Sequence, residues 1–314
     1  MSTPVYIIDA FTNEKFCGNQ AAVCLFNENR LNEEYQRIAA EFNLSETAVP
    51  LPIDTNDFKT ASKFSLRWFT PTNEVNLCGH ATLATSHVLF HEIGNQHKKL
   101  YFETLSGQLD VEKIAEGKYE LNFPLYRLKS LKFPNMVNPF ADKFEEIEGP
   151  TFMLDIVQKL GIESKFIGAV HNTDTKKCII VLDETTTKEE LLDVTRCPDE
   201  LLKCHPEATF IRGVVVSFKP KNPKAQGFID KNGKPYDYVS RYFAPWNGIN
   251  EDPATGSSHC VLAELWSKYF EPEKELYAFQ CYPNRGAQFY VNPRGDRLGI
   301  TGEAVTVVQG SANF

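Results

Sequence analysis

Two short stretches, RWFTPTN at 67–73 and RYFAPWN at 241–247, carry Arg, an aromatic residue, Phe, Pro and Asn in register, 174 residues apart. Each is followed by a glycine that opens a helical pattern, Gly79 in CGHATLATSHVL and Gly256 in TGSSHCVLAELW. The arginine-to-glycine separations are 12 and 15, so the second copy holds three more residues in its loop. The same order of strand, Pro-Asn loop, glycine and helix, met twice, predicts an internal duplication. That constrains the fold more than any local propensity, because both halves must then build their cores in the same way. With 314 residues and 42% hydrophobic content, the chain is long enough to give each half a core.

Each half mixes strands and helices, so the expected class is α+β with two pseudo-symmetric domains. In the first half, PVYIIDAF (4–11) and NQAAVCLF (19–26) are apolar and β-rich, joined by the turn residues of TNEKFCG. LNEEYQRIAAEFN (31–43) spaces Tyr35, Ile38, Ala39 and Phe42 as an amphipathic helix with early acidic residues. KFSLRWFT (63–70) alternates Phe64, Leu66 and Trp68 with polar neighbours, the pattern of a half-buried strand. HATLATSHVLF (80–90) contains no Asp, Glu, Lys or Arg, and a helix without a charged face is a buried one. The stretch 123–150 changes composition, with prolines at 124, 134, 139 and 150, and is expected to be a linker. The domains are therefore expected at 1–122 and 151–302. A second series of strands and helices follows the linker, including the helix TGSSHCVLAELWSKYF.

The formal net charge of −8 argues against nucleic acid or an anionic membrane surface as a partner and favours small-molecule chemistry. No apolar run reaches the ~18 residues of a membrane span, and the start of the chain reads as neither a secretory signal nor a transit peptide. Eight cysteines without a CxxC pair suit free thiols in a reducing cytoplasm.

The duplication bears on function. Domains related by an approximate dyad bring equivalent elements to one cleft, and here those elements are helix N-termini with unpaired N–H groups and a positive dipole end. Gly79 and Gly256 let the backbone approach a ligand, so a small anion is the expected guest. Cys78-Gly79-His80 at the first helix start has several readings. Zinc is disfavoured because Cys78 and His80 have no matching ligand pair. A thiol at a helix N-terminus is a candidate nucleophile, but adjacent positions on a helix start point apart, so no direct Cys78–His80 contact is expected. Cys78 is otherwise a small buried turn residue, and His80 a ligand contact or a capped polar group. At the second start, Asp252 and Ser257 are turn and cap residues in isolation. Glu46 in NLSETAV is oddly placed for a solvated face, between Ser45 and an apolar extended run.

DAFTNEKFCGNQAAVCLF, SETAV, RWFTPTNEVNLCGHATLA and EDPATGSS, in this order over residues 9–258, resemble the PhzF-like isomerase family of phenazine biosynthesis, within the diaminopimelate epimerase fold. The resemblance implies that each domain is a β-barrel-like sheet around a central helix, that the last strand, near 303–309, crosses back to complete the first domain, and that the protein is a homodimer. By the same resemblance Glu46 is the proton-transferring carboxylate, with His80 and Asp252 beside it in catalysis. Gly79 and Gly256 are backbone donors to a substrate carboxylate, and Asn19 and Ser257 line the site. The family needs no cofactor and no metal. Epimerases of this fold use one cysteine per domain; Cys78 falls on the first position, but the second half reads DPATG, which disfavours two-cysteine racemisation. The expected chemistry is cofactor-independent isomerisation of a small carboxylate by Glu46, its pKa raised toward neutrality by burial. Asp252 would bind or protonate the substrate or orient His80. The alternatives are an epimerase with Cys78 and Glu46 as opposed bases, and a carboxylate-binding protein without turnover.

Overall fold

The computed structural model describes residues 2–271 and 274–314. The chain divides into two compact units, one of residues 1–123, 287–289 and 299–314, the other of residues 124–286 and 290–298. Among the described residues, no helix is long and apolar enough to cross a membrane.

The first unit contains β1 (Ser2–Ala10), β2 (Asn19–Cys24), α1 (Asn32–Phe42), β3 (Glu46–Pro52), β4 (Lys63–Phe69), β5 (Glu74–Val75), α2 (Gly79–His87), β6 (Lys99–Thr104), β7 (Gly107–Ala115) and β8 (Lys118–Pro124). Antiparallel β1–β2, parallel β2–β3, antiparallel β3–β4, parallel β4–β6 and the meander β6–β7–β8 follow one another around the unit. The C-terminal strand Arg297–Asn313 pairs with both β8 and β1 and closes the ring. A closed sheet has no free edge, so every strand can pair on both sides. The turn from β1 to β2 depends on Gly18, whose φ is +63° and where a Cβ would lie 2.1 Å from the Ala10 carbonyl oxygen.

Helix α2 is buried over its whole length, as its lack of charge predicts. Its hydroxyls would be costly in an apolar setting, but each is satisfied within the helix. Thr82 donates to the Cys78 carbonyl, Thr85 to Ala81 (2.7 Å) and Ser86 to Thr82 (2.8 Å). The helix continues into a π-turn at Val88–Glu92, which holds the last three residues of the uncharged run.

The second unit holds β9 (Lys129–Lys132), β10 (Glu146–Glu148), α3 (Phe152–Leu160), β11 (Phe166–Asn172), β12 (Lys177–Leu182), α4 (Lys188–Asp193), α5 (Pro198–Cys204), β13 (Gly213–Phe218), β14 (Tyr238–Ala244), β15 (Ile249–Asp252), α6 (Gly256–Trp266) and β16 (Leu276–Gln280). Its pairing repeats that of the first unit step by step: antiparallel β11–β12, parallel β12–β13, antiparallel β13–β14 and β14–β15, parallel β14–β16. Helix α6 is buried like α2 and is tied to its sheet by Trp266 Nε1 to Ser217 Oγ (3.0 Å) and by Tyr238 OH with His259 Nδ1 (2.8 Å). The segment 123–150, expected as a linker, instead carries β9 and β10 and joins the second unit through β9–β11 pairing. Its prolines punctuate short strands, while Leu128, Leu131, Phe133, Phe140 and Phe144 are buried.

The repeated arginine has a structural role in both units. Arg67 grips Glu74 with two 2.7 Å hydrogen bonds and so clamps β5 to β4. Arg241 grips Glu251 at 2.7 and 2.9 Å between β14 and β15. The second clamp is fully buried and its remaining nitrogen donates to the carbonyls of Leu191, Leu192 and Val194. Arginine suits this duty because its planar fork matches a carboxylate at two points.

Candidate functional site

In the first unit, parallel pairing of β2 and β3 sets Ala21 opposite Glu46, so the residues that lead into the two strands, Asn19 and Ser45, become neighbours. Ser45 donates to the Gln20 carbonyl (2.9 Å) and its oxygen lies 3.2 Å from Asn19 Oδ1. The start of α2 reaches the same place. His80 Nε2 lies 3.1 Å from Ser45 Oγ and 3.0 Å from Glu46 Oε2; His80 Nδ1 lies 3.3 Å from Asn19 Nδ2 and 3.5 Å from Cys78 Sγ. Glu46, His80, Asn19 and Cys78 are all buried.

The expectation that Cys78 and His80 point apart is corrected by that last contact. Cys78 is the N-cap, with extended φ and ψ of −141° and 113°, so its side chain turns back over the first turn instead of following the helical fan. The thiol is part of the cluster.

Glu46 Oε2 is close to His80 Nε2, yet no hydrogen-bond donor is aligned on it. Since Ser45 commits its proton to Gln20, its lone pairs face the ring and take the Nε2–H, leaving Oε2 beside the imidazole and off the axis of the bond. The result is a buried carboxylate oxygen whose acceptor capacity is unspent.

In the second unit, Asp252, Gly256 and Ser257 gather at the start of α6. Thr255 caps that helix where Cys78 caps α2. Its hydroxyl donates to Asp252 Oδ2 (2.5 Å), its N–H donates to Gln280 Oε1 (2.8 Å), and Gln280 Nε2 donates to the Asp252 carbonyl (2.6 Å). Asp252, Thr255 and Gly256 are buried and Ser257 is half-buried.

A model of the PhzC-PhzF family, phenazine biosynthesis-like proteins, matches residues 8–310 of this chain. The chain belongs to that family. It is 40% identical to a phenazine biosynthesis-like domain-containing protein of Bos taurus, over 99% of both chains. It is 33% identical to an uncharacterized isomerase of Halalkalibacterium halodurans, over 98% of both. Among solved structures it is similar to a PhzF family protein of Enterococcus faecalis, at 31% identity, with a TM-score of 0.79 and full coverage of both chains. The closed sheet around a central helix is thus the fold of a PhzC-PhzF family member.

The electrostatics of the cluster depart from the sequence-based expectation. Burial is the largest influence on Glu46 and pushes its pKa up, but the charge of His80 and contacts from His80, Ser45 and Cys78 outweigh it, so the carboxyl sits below its ordinary value. Burial likewise pushes His80 down, and the contacts with Cys78 and Glu46 reverse the sign and hold it well above 6.5. Burial, joined by the Glu46 charge, raises the Cys78 thiol. The cluster therefore rests as carboxylate, imidazolium and thiol. In either charge state of the ring Nε2 keeps the hydrogen it gives to Ser45 Oγ, and the second proton, on Nδ1, lies beside Cys78 Sγ.

The pair's contribution to stability should depend on pH from both sides. A lowered carboxyl contributes fully above its unfolded value of ~4.3 and loses that as pH falls through its folded value; a raised imidazole contributes fully below ~6.5 and loses that as pH rises through its folded value. The urea midpoint of the wild type relative to His80→Gln should be greatest between about pH 4.5 and 6.5. A difference that stays flat from pH 3 to 9 would contradict the ion pair.

Donor atoms of Glu46, Cys78 and His80 lie within 4.8 Å of one another, a set that could hold a metal ion. The sequence reading saw only two of these ligands, because Glu46 is remote in sequence. An ion here would have to displace the proton held on the thiol and one of the ring protons of His80. Sequence reasoning also missed Ser45, Thr255 and Gln280. Ser45 and Thr255 sit inside motifs already singled out, SETAV and DPATG; Gln280 stands at the end of β16 with no local signal.

Proposed function

We propose that this protein is an isomerase that moves a proton between two carbons of a small, conjugated carboxylate, with Glu46 as the single acid and base. The observation that supports this reading is the buried Glu46 Oε2, ionised at neutral pH and without an aligned donor, beside an imidazolium. Glu46 takes a proton from an activated C–H bond, and the electron pair spreads through the conjugated system as an enolate-like anion. The Glu46 carboxyl then returns the proton to another carbon of that system, so the product is an isomer and the enzyme is restored. His80 exchanges partners during the step. Its charge faces the carboxylate before transfer and the substrate anion after it, so stabilisation follows the charge as it develops. N–H groups of the first turn of α2, opened by Gly79, have no carbonyl within the helix and can hold the substrate carboxylate. At the equivalent helix start of the second unit, the first-turn N–H groups opened by Gly256, with Ser257 and Asp252 beside them, offer the same kind of anion-binding groups. No metal or other cofactor is required for such a step.

An epimerase with Cys78 and Glu46 on opposite faces of a carbon fits less well. Each base needs to approach within ~3–3.5 Å, which places them about 6 Å or more apart, whereas the ligand atoms of Cys78 and Glu46 lie within 4.8 Å. The test is incubation with cyclic and amino carboxylates in deuterated water, followed by mass spectrometry. Solvent-derived deuterium at carbon in an isomerised product is the expected result. Binding of the same compounds with no label at any carbon would identify a carboxylate-binding protein and overturn the assignment.

A further inference from the structure

A second group of metal-binding side chains lies in the first unit, where α2 passes into its π-turn. The ligand atoms of His87, His91 and Glu92 lie within 4.8 Å of one another. The two imidazole rings stack, with centroids 5.0 Å apart and planes at 19°. A helix brings positions four apart to one face, and the π-turn at Val88–Glu92 adds Glu92 to that face.

The hydrogen bonds give each group a definite state. Tyr119 OH lies 3.2 Å from His87 Nδ1, His87 Nε2 lies 3.0 Å from Thr306 Oγ1, and Thr306 Oγ1 donates to Glu92 Oε1 (2.5 Å). Read as one chain, Tyr119 donates to Nδ1, Nε2 donates to Thr306 and Thr306 donates to the carboxylate, which requires a neutral His87. On the outer side, His91 Nδ1 lies 3.2 Å from Glu116 Oε1, whose other oxygen is 2.8 Å from Lys113 Nζ. His91 and Glu116 are exposed, which gives an ion a way in.

We infer that His87, His91 and Glu92 form a binding site for a divalent transition-metal ion of zinc's ligand preference, separate from the Glu46 cluster. Two imidazoles and a carboxylate suit Zn²⁺, with bonds of ~2.0–2.2 Å, so the ligand atoms draw together, the Nε2 proton of His87 moves to Nδ1, where the Tyr119 oxygen accepts it, and Thr306 releases both His87 Nε2 and Glu92. Glu116 orients His91 from behind, as carboxylates do for metal-bound imidazoles. A water completes the four-coordinate shell.

The test is calorimetric titration of the full chain with ZnCl₂ at pH 7.5, in wild type, His91→Ala and Glu92→Gln. Free thiols and the Glu46 cluster are common to all three proteins, so the site is read as the difference. The expected result is one Zn²⁺ equivalent that vanishes in His91→Ala and weakens at least about tenfold in Glu92→Gln, with a Zn²⁺-dependent rise in melting temperature that is largest in the wild type and absent in His91→Ala. His91 is exposed, so its replacement leaves the fold intact, and unchanged melting in EDTA verifies that. Turnover at Glu46 should be equal in all three. Superimposable isotherms for wild type and His91→Ala would overturn the site, whatever the outcome at Glu46.

Discussion

Glu46→Gln is expected to lose about 10²- to 10⁴-fold in turnover, the usual worth of one positioned acid and base, while substrate affinity stays within a few-fold. Glutamine keeps the size and hydrogen-bonding shape of the side chain but can neither take nor return a proton. The substitution also removes one of the two neighbours, Cys78 being the other, that hold the His80 pKa up. The His80 pKa should therefore fall toward or below 6.5, readable by NMR titration of the imidazole. These outcomes separate a catalytic carboxylate from a structural one. If Glu46 only anchored His80, turnover and affinity would decline together. Equal turnover in the variant would end the single-carboxylate mechanism. The experiment requires a substrate that the deuterium screen identifies, but the His80 titration does not, so the electrostatic half is testable at once.

Arg241→Met is expected to be the most damaging single change outside the site, costing about 3–5 kcal/mol in the second unit. Methionine fills the space but leaves Glu251 charged in a buried position, with Arg196 as its remaining partner. It also leaves the carbonyls of Leu191, Leu192 and Val194 without their donor. Arg67→Met is the internal control. Its clamp has the same geometry, but both side chains are part-exposed, at 21% and 23%, so solvent can replace the lost bonds and the cost should be about 1 kcal/mol or less. Denaturant titration of both variants checks the ranking. If Arg67→Met proved the costlier, burial would not be what separates the two clamps.

Much of the architecture was legible in the chain because its signals are local and periodic. The uncharged run of 80–90 announced a buried helix, the alternation in KFSLRWFT announced a strand, and the two arginine-led stretches announced a repeat whose pairing pattern recurs in both units. The segment 123–150 has the composition of a linker because proline and charge mark turns between short strands as well as linkers, and only pairing with β11 distinguishes the two.

The candidate site was legible as a set of residue types and not as an arrangement. Glu46, His80 and Cys78 each stand out in the sequence, yet regular helix geometry turns the thiol away from the imidazole, and an N-cap does not obey it. For Glu46 the sequence predicts a shift of the opposite sign. Burial alone raises a carboxyl, and the sequence shows burial through its apolar neighbours; the opposing charge comes from His80, 34 residues away in the chain, and only folding brings it to 3.0 Å.

Sequence by itself determined the α+β class, the duplicated order of elements, the family and the chemical identities of the groups in the candidate site, since these depend on composition, period and local motif. The tertiary structure alone decided which of those groups touch, which proton each one holds and where a carboxylate oxygen is left without a donor. Those properties depend on distance and dielectric between residues remote in the chain, and close contact changes a pKa far more than any neighbour in sequence can.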